Sequence, residues 1–171
     1  ELAPASAAVM ARLIAQYLDT DAVAVVEGGV PETTELLSHA FDHVFFTGST
    51  DVGRIVMKAA AEHLTPVTLE LGGKSPQIVF ADADLDAALP AIVNAIVQNA
   101  GQTCSAGSRL LVERSIYEPL LERLGRAFRA LRAGPAASDL DLGPLIRRGQ
   151  LVRVGELLAQ AGKDGIATVA Q

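Results

Sequence analysis

A second cysteine is missing from this chain of 171 residues, so no internal disulfide can form. The single thiol points to a reducing compartment. Positive charge is scarce as well: 14 Lys and Arg against 20 Asp and Glu give a formal net charge of −6. That balance argues against a general affinity for nucleic acid, whose phosphates need clustered cations, and disfavours a polybasic contact with a membrane surface. No uninterrupted apolar run approaches the roughly 18 residues of a spanning helix, and no charged segment followed by an apolar one opens the chain. These absences predict a soluble cytoplasmic protein. With one cysteine and three scattered histidines (His39, His43 and His63), no metal-ligand cluster can be drawn. Internal repeats and low-complexity segments are lacking too.

What is present is material for a core. Half of the residues are hydrophobic, enough for one ordinary domain or pieces of two. Pro4 suits a first helical turn, and Val9, Leu13, Ile14 and Tyr17 recur at helical spacing. Ala22–Val26 is a continuous apolar run suited to a buried parallel strand. Gly28, Gly29 and Pro31 turn the chain into a short helix over 32–40. A second buried strand covers 42–46, a helix over 52–62 follows with Ser49 or Thr50 as its cap, and Val67–Leu69 forms a third strand. Strands alternating with helices predict parallel pairing with right-handed crossovers. The alternation continues with a strand at 77–80, a helix from Asp82 or Asp84 to about Asn99 that contains Pro90, and a strand at 109–113. Helices over 115–131 and 145–160 follow, and the closing 166–171 resembles a further strand. The expected fold class is α/β. Residues 1–70 read as the second half of a Rossmann-like parallel cofactor-binding sheet, leading into part of an α/β catalytic domain over 71–171.

Three stretches carry chemistry. Thr47-Gly48-Ser49-Thr50-Asp51-Val52-Gly53 follows a buried strand and opens a helix, where free N–H groups and the positive end of the helix dipole can receive an anion. The spacing is neither a P-loop, since Lys-Ser/Thr is missing, nor G-x-G-x-x-G, so taken alone it reads first as a plain strand-to-helix turn. Glu70 ends an apolar strand before two glycines, the place where open α/β sheets carry functional groups. It reads either as a general base or as one half of a salt bridge, with Lys74 as partner. Cys104 lies among small and polar residues, Gly101-Gln-Thr-Cys-Ser-Ala-Gly107, which leave room for a substrate and offer turn N–H groups to an oxyanion. The alternative is an inert core thiol. A thiol protease would need a histidine partner, and all three histidines lie in the earlier part of the chain. Asp82, Asp84 and Asp86 read as helix caps rather than cation ligands.

F-F-T-G-S-T at 45–50, L-E-L-G-G-K-S-P at 69–76, N-A-G-Q-T-C-S-A-G-S-R at 99–109 and L-G-P-L at 142–145 together resemble the aldehyde dehydrogenase superfamily, over the whole chain. V-V-E-G-G-V-P-E-T-T at 25–34 and H-L-T-P-V-T-L-E at 63–70 look most like its class 3 branch. The resemblance implies that Cys104 is the nucleophile, whose thiolate attacks an aldehyde to give a thiohemiacetal and then a thioester. It implies that Glu70 is the base activating water for hydrolysis, with a free carboxylic acid as product. Thr47, Gly48 and Ser49 would match the pyrophosphate-binding turn, and Leu71 and Gly72 the nicotinamide contacts. Glu1 looks like the last residue of a K-P-x-E motif that binds the adenosine ribose, which favours NAD over NADP. Family members usually form homo-oligomers. The chain looks truncated at both ends: the lysine of K-P-x-E, an earlier oxyanion-hole asparagine and a later E-x-F-G-P motif are not in it. A lone oxyanion donor, the Cys104 N–H, would weaken the chemistry by about two or three kcal/mol. On that basis the chain alone is expected to be weakly active or inactive, and poorly stable with an exposed sheet edge. Two other readings stand beside this one: a non-catalytic nucleotide- or partner-binding segment, and a thioesterase-like hydrolase needing no cofactor.

Overall fold

Val44–Gly48 (β1) and Val67–Leu71 (β2) pair in parallel, with Thr47 opposite Glu70 and Gly48 opposite Leu71. The structure is a computed structural model and describes residues 1–170. The chain divides into two compact units, Glu1–Leu71 and the residues from Gly72 onward. Ahead of the first ladder lie helix α1, Pro4–Tyr17, with proline in its first turn, and helix α2, Val30–Leu37. The start of α2 is fixed by Glu32, whose carboxylate accepts from the Gly29 N–H at 2.7 Å. That bond, with a second from its own N–H, holds the Glu32 carboxyl below the usual range for a glutamic acid.

Between β1 and β2 runs α3, Thr50–Ala61. Ser49 is its N-cap, with Oγ accepting from the Val52 N–H at 3.3 Å. Gly53, Val56 and Ala60 recur at helical spacing and are the buried face of this helix. A Cβ on Gly53 would stand 2.8 Å from Leu71 Cδ2, so the helix sits against β2 at a distance that a glycine permits. The opposite surface is open: Phe45 on β1 is 66 % exposed and Ile55 on α3 is 62 % exposed.

The second unit repeats the strand–helix–strand plan. Pro76–Val79 (β3) and Arg109–Val112 (β4) pair in parallel, joined through α4, Leu85–Val97. Asp84 caps α4 by accepting from the N–H groups of Asp86 and Ala87 at 3.0 and 3.2 Å. Val79, Ile92, Leu120 and Leu124 form the buried cluster, flanked by Leu89, Leu110, Val112 and Phe128. Leu120 and Leu124 come from α5, Tyr117–Ala130, which packs on α4. Leu120 is 0 % exposed. Leu120→Ala is therefore expected to lower unfolding free energy by about 2–5 kcal/mol. Urea denaturation followed by far-UV circular dichroism would check this, and a loss below about 1 kcal/mol would contradict it.

Three expectations are corrected. Residues 22–26 form no strand: β1 has β2 as its sole ladder partner among the described residues, and Val26 is 61 % exposed. An apolar run specifies burial, but a strand also needs a neighbour to complete its hydrogen bonds. The last helix, α6, spans Arg148–Lys163, starting after the loop that holds Pro144 rather than at Leu145. Residues 166–170 form no ladder; Arg129 Nη1 donates to the Val169 carbonyl at 2.9 Å instead. Gln171, the end of that expected strand, lies outside the described residues.

Candidate active site

Parallel strands bring their carboxyl ends to one side of the sheet, and here that places Thr47 and Gly48 beside Glu70 and Leu71. Ser49 follows directly as the α3 cap, accepting with both its hydroxyl and its carbonyl, the latter from the Gly53 N–H at 2.8 Å. The N–H groups of Thr50 and Asp51, in the first turn, meet no protein acceptor among the described residues. The carboxylate of Asp51 is countered by Arg54 at 2.7 Å. Gly48 has a local reason to be glycine: a Cβ there would lie 2.5 Å from Cζ of the Phe46 ring. Glu70 is exposed, and its side chain has no hydrogen-bond or ion-pair partner within residues 1–71. The Leu71 side chain is half-buried against Gly53 of α3. The Glu1 carboxylate lies 3.0 Å from where a Cβ on Gly29 would stand, at the turn that opens α2.

Gly72 and Cys104 belong to the second unit. Around Gly72 and Gly73 the space that a Cβ would enter is open. Cys104 is exposed, on the turn closed by the Ala106 N–H to the Thr103 carbonyl at 3.1 Å. Its own N–H has no protein acceptor among the described residues. The turn is anchored behind the thiol by Ala106, which is buried. The Gly107 N–H donates to the Ala95 carbonyl at 2.8 Å. That carbonyl is one of the last of α4, and the Gly107 N–H takes the place of a helical donor because the chain leaves the helix at Gln98, whose ψ is 135°.

Side chains that sequence reasoning missed complete the loop's support. Gln77 on β3 donates its Nε2 to the Gly107 carbonyl at 2.9 Å and to the Ile92 carbonyl at 3.3 Å. A Cβ on Gly107 would stand 2.5 Å from Gln77 Nε2, so this glycine admits the amide. Ahead of the thiol, Asn99 Nδ2 donates to the Gln102 carbonyl and Gln102 Nε2 to the Asn99 carbonyl, at 3.1 and 3.0 Å. The only signal in the sequence is that Asn99 and Gln102 precede the cysteine within its own motif and that Gln77 lies on the strand before them. Among the described residues no group of three His, Cys, Asp or Glu could hold a metal ion, and no helix is long and apolar enough to cross a membrane.

Two strand–helix–strand units, each built on its own parallel strand pair, one with a capped turn after its first strand and the other presenting an exposed thiol, are the pieces of an α/β protein of the aldehyde dehydrogenase fold. The chain belongs to the aldehyde dehydrogenase family, whose model matches residues 1–171. It is 43 % identical to a dimeric NADP-preferring aldehyde dehydrogenase of Canis lupus familiaris, over 98 % of this chain and 38 % of that protein. With aldehyde dehydrogenase family 3 member A2 of Mus musculus it shares 52 % identity, over 92 % of this chain and 33 % of that one. The crystal structure of a putative aldehyde dehydrogenase from Burkholderia cenocepacia superposes with a TM-score of 0.80 at 61 % identity, covering 81 % of this chain and 29 % of that chain. The chain thus spans about a third of the length of the curated relatives.

Proposed function

We propose that these residues carry the nucleophile and the base of an NAD(P)-dependent oxidation of an aldehyde to a carboxylic acid, within a longer enzyme. The observation that carries the reading is an exposed thiol on a turn pinned from both flanks, in a chain of this family. The Cys104 sulfur adds to the aldehyde carbonyl, while the unpaired N–H of Cys104 donates to the oxygen that gains charge. Oxidation leaves an acyl thioester on the same sulfur. Glu70 then takes a proton from the water that attacks this thioester, and the thiolate leaves.

Bound NAD(P) supplies the hydride acceptor. Three features support binding it here: N–H groups of Thr50 and Asp51 without acceptors at the head of α3, the end of β1 at Thr47 and Gly48, and Leu71 on the neighbouring strand. Gly72 and Glu1 are the remaining contacts in this proposal, for nicotinamide and adenosine ribose. NAD is the first nucleotide expected and NADP a second, in keeping with the NADP-preferring relative in Canis lupus familiaris. A cytoplasmic setting, where a thiol stays reduced, and a homo-oligomeric whole protein belong to the same proposal.

The test uses the complete polypeptide that contains these residues. Reduced nucleotide should accumulate when a simple aldehyde and NAD are both supplied, and stop when either is withheld. Hydrolysis of an ester without nucleotide, and no aldehyde-dependent reduction, would instead support a cysteine hydrolase.

A further inference from the structure

The side-chain amide of Gln102 is used at both ends. Its Nε2 donates to the Asn99 carbonyl at 3.0 Å, and its Oε1 accepts from the Ile146 N–H at 2.9 Å. The backbone of the same residue is held too, with N–H donating to the Asn99 carbonyl and carbonyl accepting from Asn99 Nδ2, both at 3.1 Å. Gln102 lies two positions before Cys104. Next to it the chain passes through φ values of 51° at Asn99 and 54° at Ala100, a left-handed conformation that alanine does not adopt unless its surroundings hold it. The far partner, Ile146, is 44 residues on in sequence, immediately before Arg147, the N-cap of α6.

We propose that Gln102 is a positioning residue for Cys104: its amide ties the cysteine turn to the entry of α6 and fixes where the thiol and its N–H point. The proposal rests on the reading of Cys104 as nucleophile. A glutamine is required because one planar amide of that length must both donate and accept. Glutamate keeps the acceptor for Ile146 and loses the donor, and leucine loses both. These are exposed bonds, whose individual contribution to stability is small, so their loss should alter the placement of the thiol without unfolding the protein. Movement in the 142–146 segment would reach Cys104 through this link.

Gln102→Leu and Gln102→Glu would be compared with the unsubstituted protein in the complete polypeptide, by hydrogen–deuterium exchange at Ile146, iodoacetamide alkylation of Cys104, and steady-state kinetics. In Gln102→Leu, Ile146 should exchange about tenfold faster or more, the alkylation rate should change by more than about threefold, and kcat should fall about 10- to 100-fold with KM values within about twofold. Gln102→Glu should keep Ile146 protected and retain more kcat than Gln102→Leu. Unchanged exchange at Ile146 would show that the link does not form. Faster exchange with unchanged alkylation and kcat would show that it does not position the thiol. Failure of the nucleophile reading is a separate result, namely nucleotide reduction that survives full alkylation of Cys104, and it leaves the exchange and alkylation comparisons intact.

Discussion

Cys104→Ala is expected to remove aldehyde-dependent nucleotide reduction, lowering kcat/KM by about 10⁴-fold or more. Alanine has no atom that can form the thiohemiacetal, and the chain holds no other cysteine to replace it. Cys104→Ser is the stricter form, because a hydroxyl keeps the volume but is a far weaker nucleophile without an adjacent base. The thiol is exposed, so either change should leave stability within about 0.5 kcal/mol and the melting curve close to that of the unsubstituted protein. Loss of activity can then be assigned to chemistry rather than to folding. Activity within about tenfold of the unsubstituted protein would remove Cys104 from the reaction.

Glu70→Gln should leave the first half of the reaction and stall the second. Glutamine matches the shape of the glutamate and takes up no proton, so attack by the thiol proceeds while hydrolysis of the thioester slows. The expected record is a burst of about one reduced nucleotide per active chain, followed by a steady rate lower by about 10²- to 10⁴-fold. Glu70 is exposed and its carboxylate has no partner within residues 1–71, so the substitution breaks no ion pair there. Rapid-mixing absorbance measurements separate burst from steady state, and a steady rate equal to that of the unsubstituted protein would assign the base elsewhere.

Local patterns were the legible part of the fold. Ser49 and Asp84 each precede a helix and cap it through their own side chains, because a cap needs only the next three residues. Gly53, Val56 and Ala60 face the sheet, as the period of the helix dictates. Parallel pairing of β1 with β2 and of β3 with β4 follows from the strand–helix–strand order. What stayed hidden depends on distant partners. Residues 22–26 have the composition of a buried strand, but composition names no neighbour to complete a ladder.

The supports of the candidate site were hidden for the same reason. Gln77 and Gln102 are visible as amides, but their partners lie 30 and 44 residues away. At Gly48, glycine reads naturally as space for a ligand, whereas the structure shows the Phe46 ring against the position a Cβ would take. A glycine in sequence reports that room is needed and leaves open which group takes it.

The most direct test of covalent catalysis at Cys104 is mass spectrometry of the Glu70→Gln protein, quenched during the burst with an aldehyde and NAD. The expected result is a peptide containing Cys104 that is heavier by the acyl group of that aldehyde, approaching one per active chain and absent when NAD is withheld. Carboxylic acid formed at the unsubstituted rate, with the Cys104 peptide unmodified at every quench time, would contradict it.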